Sequence, residues 1–206
     1  MKILYENSEI AVCIKPSGIS SQGGGENSAV EILKTLTGSP EIYPVHRLDT
    51  VTAGVMVYAK TKSAAAFLTK QIQENRVEKI YHALVHGEIT PEEGIMEDLL
   101  FKDSKKNKSF VVKKQRKGVK KASLEYKVLE AKDGLSLVRI KLHTGRTHQI
   151  RVQFASRKHP VFGDGKYGAS DNVSYIGLVC HSLTFREPLS GEVMTFCNPS
   201  PVNGIP

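Results

Sequence analysis

The stretch His46-Arg47-Leu48-Asp49-Thr50-Val51-Thr52-Ala53-Gly54 places charged and hydrogen-bonding groups directly before a valine-rich segment, Gly54–Lys60. The valine-rich segment predicts a strand, because β-branched residues pack well on a pleated surface. Loops at strand ends are where functional sites are commonly built. The polar stretch is therefore a candidate site, and the strand after it belongs to a predicted sheet.

A second polar cluster, Thr144–Arg151, follows another predicted strand, Leu135–Leu142. Charged groups are costly to bury unless they are paired. The clusters supply a carboxylate, Asp49, and two candidate guanidinium partners for it, Arg146 and Arg151. On residue types alone, such a pair fits a reactive site and a structural ion pair between two loops equally well.

Strands and helices alternate along the chain, which predicts a mixed sheet flanked by helices in a single domain, residues 1–206. The further predicted strands are Ile10–Lys15, Val77–Val85, Ser123–Leu129, Tyr175–Cys180, Leu183–Phe185 and Val193–Phe196. Helices are predicted over Ser28–Leu36 and after the capping residue Thr61. The segment His148–Ser156 fits the strand period and the helical period equally well.

The chain has 206 residues, of which 40% are hydrophobic and 24% charged, as in soluble globular proteins. It has no apolar run of about 18 residues, as a membrane span requires. Its N-terminus lacks the features of a signal peptide, which predicts a cytoplasmic protein. The three cysteines are far apart and form no C-x-x-C pair, so neither a disulfide framework nor a metal site is predicted.

The positive charge of the chain is concentrated in one segment. The net charge is +8, and Lys102–Lys121 holds ten basic residues and one acidic residue, so the rest of the chain carries −1. The segment is interrupted by Ser109–Val112, which is typical of a strand and predicts a basic hairpin. A focused basic surface attracts the phosphates of nucleic acids, whereas a solvated loop that keeps the protein soluble is the alternative.

Five motifs along the chain, in order, resemble the RluA-type RNA pseudouridine synthases. They are Lys15-Pro16-Ser17-Gly18, His46-Arg47-Leu48-Asp49 with Thr52 and Gly54, Lys79-Ile80-Tyr81-His82-Ala83, Gly145–Val152, and His159-Pro160 with Gly163-Asp164 and Tyr167-Gly168. The resemblance implies the pseudouridine synthase fold, an α+β fold with a central, mixed and mostly antiparallel sheet. It also implies the compact branch that lacks an N-terminal S4 domain.

The resemblance further implies a function and a set of site residues. Asp49 is expected to be the nucleophile, Arg146 its ion-pair partner, and Tyr81 the residue that stacks on the target base. No cofactor and no metal are expected, because uridine and pseudouridine contain the same atoms. The expected partner is an RNA stem-loop of ribosomal or transfer RNA with a flipped uridine, bound by a monomer.

Other residues receive supporting roles. Arg47 is expected to fill the space left by the flipped uridine or to hold a phosphate, and Lys15 to contact a phosphate or to support the structure. The basic hairpin is expected to bind RNA through Lys113, Lys114, Arg116 and Lys117. The residues expected to support the site structurally are His46, Thr52, His148 and Gln149.

Two other functions are compatible with parts of this pattern. One is a non-catalytic RNA-binding protein or RNA chaperone that keeps the fold, although binding alone has no need of a carboxylate that faces a polyanion. The other is a small-molecule hydrolase that uses Asp49 with His46 or His148. The basic segment and the lack of an oxyanion-type or metal motif count against the hydrolase.

Overall fold

The computed structural model describes residues 1–23, 25 and 27–199. The chain divides into two compact units. Unit one comprises Met1–Lys79 and Cys180–Pro199, and unit two comprises Ile80–Val179. The chain therefore forms the first part of unit one, then unit two, and then completes unit one. Among the described residues, no helix combines the length and the apolar character needed to cross a membrane.

In chain order, the strands are β1 (Lys2–Glu6), β2 (Ile10–Lys15), β3 (Tyr43–Pro44), β4 (Ala53–Ala59), β5 (Glu78–His86), β6 (Glu93–Asp103), β7 (Lys108–Val112), β8 (Val119–Lys132), β9 (Leu135–Leu142), β10 (Leu178–Arg186) and β11 (Val193–Cys197). The helices are α1 (Ala29–Thr37), α2 (Lys62–Gln73) and α3 (Gln149–Ser156), with a 3-10 helix at Gly165–Tyr167. This combination of sheet and helix confirms the predicted α+β fold class.

In unit one, the strand order is β1-β2-β4-β10, with β3 paired to β4 and β11 paired to β10. Strands β2 and β4 are antiparallel, and Lys15 lies opposite Gly54. The end of β2 and the start of β4 therefore lie at the same edge of the sheet. The loop after Lys15 begins at this edge, and the loop before Ala53 ends there. The motif that begins at Lys15 and the motif that contains Asp49 therefore lie side by side.

The core of unit one lies between one face of the sheet and helix α2. Its buried members are Ile10, Val12, Val55, Val57, Ala59, Ala64, Leu68, Leu183 and Phe185. The strand residues in this set alternate along β2 and β4, as a half-buried strand requires. Burial of Leu68 contributes about 2 kcal/mol to the stability of the helix packing. Thr61 caps α2, since its Oγ1 accepts a hydrogen bond from the amide of Ala64 at 3.1 Å.

In unit two, the strand order is β5-β9-β8-β6-β7. The pairings β5–β9, β9–β8, β8–β6 and β6–β7 are all antiparallel. Leu100 of β6 and Ala122 of β8 form a buried cluster with Val152 of α3 and Tyr167. The helix thus covers one face of the β6–β7–β8 strands.

The structure differs from the predicted elements at four strands. Residues 178–186 form one strand, β10, rather than two strands separated by a turn. The interrupting pair His181-Ser182 stays within the ladder, because Ser182 is paired with Cys197 of β11. Strands β1, β3 and β6 are not predicted at all. In β6 the acidic residues and a glycine hide the alternation of apolar side chains.

The segment His148–Ser156, which fitted both periods, forms helix α3. Its pattern was ambiguous because most of its residues are buried, so no alternation of apolar and exposed side chains marks one helical face. The expected basic hairpin is confirmed, since β6 and β7 pair in register from Leu99↔Val112 to Asp103↔Lys108. The predicted pairing of the segments around 123–129 and 135–142 is also confirmed by β8 and β9.

Gly54 provides a test of the packing at the start of β4. Its φ is +131°, a conformation that L side chains rarely adopt. A Cβ atom at this position would overlap the backbone carbonyl oxygen of Cys180. We expect Gly54→Ala to lower the free energy of unfolding by more than about 3 kcal/mol, measured by urea denaturation.

Gly38, at the C-cap of α1, is the matched control. Its φ is +64°, but a Cβ there would meet no atom within 4 Å. Gly38→Ala should therefore cost only about 1 kcal/mol, the strain of the left-handed backbone. Equal losses for the two variants would contradict the close approach at Gly54.

Candidate functional site

Asp49 lies in the loop between β3 and β4 of unit one, and its side chain is half-buried. The loop turns tightly after this residue, because the amide of Thr52 donates to the carbonyl oxygen of Asp49 at 2.9 Å. Leu48 is buried beside it, and its carbonyl oxygen accepts a hydrogen bond from Ser21 Oγ at 2.8 Å. These bonds fix the backbone on both sides of the carboxylate.

Lys15 is fully buried beneath this loop. Its ammonium donates to the carbonyl oxygens of Pro16 and Ile19, both at 2.8 Å, and of Thr50 at 3.4 Å. It thereby links the loop after β2 to the loop that carries Asp49. Of the two roles expected for Lys15, this placement favours support of the loop over an RNA contact.

The charge on Lys15 is stabilised only in part. Burial lowers the pKa of its ammonium from 10.5 to about 8, and the negative charge of Asp49 opposes this fall. The geometry thus provides a positively charged support behind the candidate nucleophile.

His46 accepts a hydrogen bond at Nε2 from the amide of Val57, at 3.1 Å. Burial, together with the positive charge of Lys79, lowers the pKa of His46 to about 3. A neutral imidazole used as an acceptor fits the structural role expected for His46. Thr52 is buried as well, and its Oγ1 has no hydrogen-bond partner within the described part of the chain.

Arg146 lies in the loop between β9 and α3 of unit two, and its side chain is exposed. Its Nε donates to the carbonyl oxygen of Lys121 at 2.9 Å, and its amide donates to Gln149 Oε1 at 3.1 Å. The same Oε1 accepts from Thr144 Oγ1 at 2.7 Å, while Gln149 Nε2 donates to the carbonyl oxygen of Ser123 at 3.1 Å. The buried Gln149 therefore braces the Arg146 loop against β8.

The same loop is held on its other side by a buried polar network. His148 has a left-handed backbone, with φ +54°, and its Nδ1 lies 2.9 Å from Tyr167 Oη. Tyr167 Oη in turn accepts from the amide of Ser109 at 2.8 Å, and Ser109 Oγ donates to the carbonyl oxygen of Thr147 at 2.7 Å. This network connects the loop to strand β7.

Arg151 has a carboxylate partner inside unit two. Its Nε and Nη2 donate to Asp164 Oδ2 at 2.6 Å and to Oδ1 at 2.8 Å, and both side chains are buried. A bidentate pair of this kind is strong and directional. Arg151 is therefore engaged by a carboxylate within its own unit.

The two remaining expected site residues differ in exposure. Tyr81 lies on β5, opposite Ile140 of β9, and is buried. Arg47, two residues before Asp49, is exposed. A buried aromatic is consistent with a core residue as well as with the wall of a site, whereas an exposed arginine beside the candidate nucleophile is accessible to a phosphate.

The expected RNA-binding cations lie in the loop between β7 and β8, and all of them are exposed: Lys113, Lys114, Arg116 and Lys117. The loop closes with a hydrogen bond from the amide of Val119 to the carbonyl oxygen of Arg116, at 3.0 Å. None of the four forms an ion pair with the residues that the structure describes. Their charge is therefore available to a polyanion.

Sequence analysis assigns no role to Tyr167 or Asp164, although both fall in the last of the five motifs. Tyr167 connects His148 to Ser109, and Asp164 is the partner of Arg151. The position of both residues in a motif could have marked them as candidates. The sequence does not indicate their hydrogen-bond partners, because these lie in other segments of the chain. Within the described residues, no group of three or more His, Cys, Asp or Glu side chains is arranged to hold a metal ion.

Comparison with known proteins places these residues in a family context. The model of a protein family described as RNA pseudouridylate synthase matches residues 9–156 of the chain. The dual-specificity RNA pseudouridine synthase RluA of Salmonella typhimurium is 36% identical, over 96% of this chain and 92% of that protein. The ribosomal large subunit pseudouridine synthase D of Borreliella burgdorferi is 37% identical, over 87% of this chain.

The chain spans only 59% of the length of the Borreliella protein. Among solved structures, human RNA pseudouridylate synthase domain containing 1 superimposes with a TM-score of 0.83 and 26% sequence identity. The superposition covers 97% of this chain and 83% of the human chain. The similarity therefore extends over the fold as well as over the motifs.

The buried ammonium of Lys15 predicts a dependence of stability on pH. Because the pKa of Lys15 is lowered to about 8 in the folded protein, the unfolded chain binds more protons between about pH 8 and 10.5. The free energy of unfolding of the wild type should therefore rise, relative to that of Lys15→Met, as the pH increases across this window. Urea denaturation of both proteins at several pH values measures the difference.

Lys62, an exposed lysine at the start of α2, supplies the control for this experiment. The difference between the wild type and Lys62→Met should stay constant over the same pH range. If the difference in free energy of unfolding between the wild type and Lys15→Met were also independent of pH, burial would not destabilise the ammonium of Lys15.

Proposed function

Because the chain belongs to the RNA pseudouridylate synthase family, a family of isomerases, we propose that it converts specific uridines of ribosomal RNA, transfer RNA or both into pseudouridine, with Asp49 as the nucleophile. The family match over residues 9–156 carries this proposal, because it includes Asp49, Tyr81 and Arg146. The ribosomal and dual-specificity relatives from Borreliella and Salmonella support this range of substrates.

The reaction is an isomerisation in which the bond between ribose C1′ and uracil N1 breaks and a bond between C1′ and C5 forms. C5 loses a proton and N1 gains one, so no redox step and no group donor is needed. A nucleophile divides such a reaction into easier steps. The Asp49 carboxylate is suited to attack at C1′, to removal of a ribose proton while uracil leaves, or to attack at uracil C6.

The other residues of the proposed site serve this carboxylate and the base. A planar guanidinium holds a carboxylate in a fixed orientation, which lysine does less well, and this is the role proposed for Arg146. Lys15 supports the Asp49 loop from below through its three carbonyl contacts. Tyr81 would stack on the uracil, and its phenol is suited to the proton transfer at C5.

RNA binding is proposed to involve two exposed basic regions. Arg47 would occupy the space left by the flipped uridine or hold a neighbouring phosphate; the flipping itself costs a few kcal/mol, about what a few phosphate contacts supply. The loop Lys113–Lys117 would contact the phosphate backbone. We further propose that residues 1–206 act as a single catalytic domain and as a monomer.

The test of this function is the mapping of pseudouridines in cells. Ribosomal and transfer RNA from cells with and without the gene are labelled with carbodiimide and read by primer extension. We expect at least one site to disappear on deletion, to return with the wild type, and to stay absent with Asp49→Asn. The amide lacks the negative charge that the nucleophile needs.

Asp133→Asn is the matched control, because Asp133 is exposed in the turn between β8 and β9. This variant should restore the site fully. Purified Asp49→Asn should bind the RNA as tightly as the wild type or more tightly, because it removes a negative charge. If no site is lost in either RNA pool, the non-catalytic RNA-binding alternative gains over the enzyme.

Salt dependence tests the basic loop. Replacement of Lys113, Lys114, Arg116 and Lys117 by glutamine should reduce the slope of log affinity against log salt concentration by up to about 3, since each phosphate contact releases counterions. The binding of substrate RNA is measured by filter retention at a series of salt concentrations. Lys62→Gln with Lys70→Gln, two exposed lysines of α2, is the control and should leave the slope unchanged.

An unchanged slope for the loop variant would remove the loop from the RNA interface. Such a result would leave the proposed chemistry at Asp49 untouched, because the two regions are replaced independently.

A further inference from the structure

The β6–β7 hairpin has two different faces. One face, with Leu100 and Val111, packs against the cluster that includes Val152 of α3. On the other face, Phe101 of β6 and Phe110 of β7 lie directly opposite each other in the register. Opposite residues of antiparallel strands project from the same side of the sheet. The outer face thus presents two neighbouring aromatic side chains.

Of this aromatic pair, Phe110 is exposed and Phe101 is half-buried. Phe110 is 37% exposed even though it is one of the largest apolar side chains of the unit. It lies on β7, which is at the end of the strand order of unit two. An edge strand has no need of an outward-facing phenylalanine for its own folding, and charged residues usually protect such edges. The exposed ring is therefore available for contact with a ligand.

One cation lies beside each of the two rings. The guanidinium carbon of Arg116 lies 4.8 Å from the centre of the Phe101 ring. Lys108 Nζ lies 5.9 Å from the centre of the Phe110 ring and 4.9 Å from that of Tyr167. The nearby carboxylate of Asp103 is engaged in the adjacent turn, where it accepts from the amides of Lys105 and Lys106 at 3.0 Å each. The rings are thus set in a surface of net positive charge.

Aromatic and guanidinium planes within a positive surface match the chemistry of an unpaired nucleotide. Unstacked bases bind on aromatic faces and on arginine planes, while the phosphates pair with the surrounding cations. A duplex offers no free base face, and an apolar protein segment gains nothing from the positive charge. The charge complementarity therefore selects single-stranded RNA as the occupant.

We propose that Phe110 and Phe101, with Arg116, form a stacking subsite for an unpaired base of the RNA substrate, outside the residues assigned to the reaction. This inference rests on the proposed function, because the occupant is the RNA that the protein modifies. The subsite adds selectivity for loops, since the phosphate contacts of Lys113–Lys117 alone are equally available to a duplex.

The test compares variants that keep or remove the aromatic face at position 110. Phe110→Leu keeps the apolar area but removes the ring, whereas Phe110→Tyr keeps the ring. The probes are a fluorescent single-stranded oligouridylate and an RNA duplex of equal length. We expect Phe110→Leu to weaken binding of the single strand about tenfold, with unchanged duplex binding and an unchanged salt slope. Phe110→Tyr should bind like the wild type.

Ile95→Ala is the matched control. Ile95 lies on the same face of β6 as Phe101, six residues or about 20 Å away, and is 66% exposed. This variant should bind both probes like the wild type. Urea denaturation of each variant verifies that the hairpin remains folded.

Wild-type affinity of Phe110→Leu for the single strand would overturn the subsite and leave this face to a protein partner. An equal loss of affinity for the single strand and the duplex would also overturn it, because stacking requires a free base. Conversion of uridine by the wild type, measured on cellular RNA in parallel, separates these results from failure of the proposed function. Conversion without an effect of Phe110→Leu rejects the subsite alone.

Discussion

The buried ammonium of Lys15 is the interaction on which the proposed nucleophile depends most directly. Removing a charged amine from water costs free energy. For Lys15 this cost is offset by hydrogen bonds to three carbonyl oxygens and by the negative charge of Asp49. Because one of these oxygens belongs to Thr50, the residue after Asp49, the ammonium helps to hold the loop that carries the carboxylate. The register that places Lys15 opposite Gly54 brings the two loops within its reach.

In unit two, the loop that carries Arg146 is held in place by neutral groups. Gln149 and Tyr167 each connect the Arg146 loop to a neighbouring strand through buried hydrogen bonds. Fully satisfied networks of this kind are rigid, since breaking one bond leaves a buried polar group without a partner. The exposed Arg146 is thus presented by a loop that has little freedom to move. Rigid support of this kind suits the orienting role proposed for Arg146.

The elements with strong local signals were predictable from the sequence. Apolar residues at helical spacing predicted α1, the same spacing after the capping residue Thr61 predicted α2, and the valine-rich run predicted β4. Strand β6 was not predicted, because charged residues and a glycine interrupt its apolar residues in the sequence. The pairing of this segment with β8 stabilises it as a strand, and local sequence carries no signal of that pairing. The continuous β10 was missed because two polar residues resemble a turn.

For the candidate site, the motifs indicated candidate residues but not the hydrogen-bond partners of those residues. The bidentate pair of Arg151 with Asp164, and the reach of Tyr167 to Ser109, depend on contacts between segments that are distant in sequence. The aromatic pair Phe101 and Phe110 depends in the same way on strand register. Charge density predicted the basic hairpin, but a count of charges carries no information about which aromatic side chains lie beside them.

The most direct measurement of the proposed activity is the release of tritium from RNA. Total RNA from cells that lack the gene, labelled with tritium at uracil C5, is incubated with the purified protein. Formation of the bond between C1′ and C5 expels the C5 hydrogen, so we predict that tritium appears in water until the substrate sites are consumed. The absence of any release, from a folded protein that binds the RNA, would contradict the conclusion that this protein isomerises uridine.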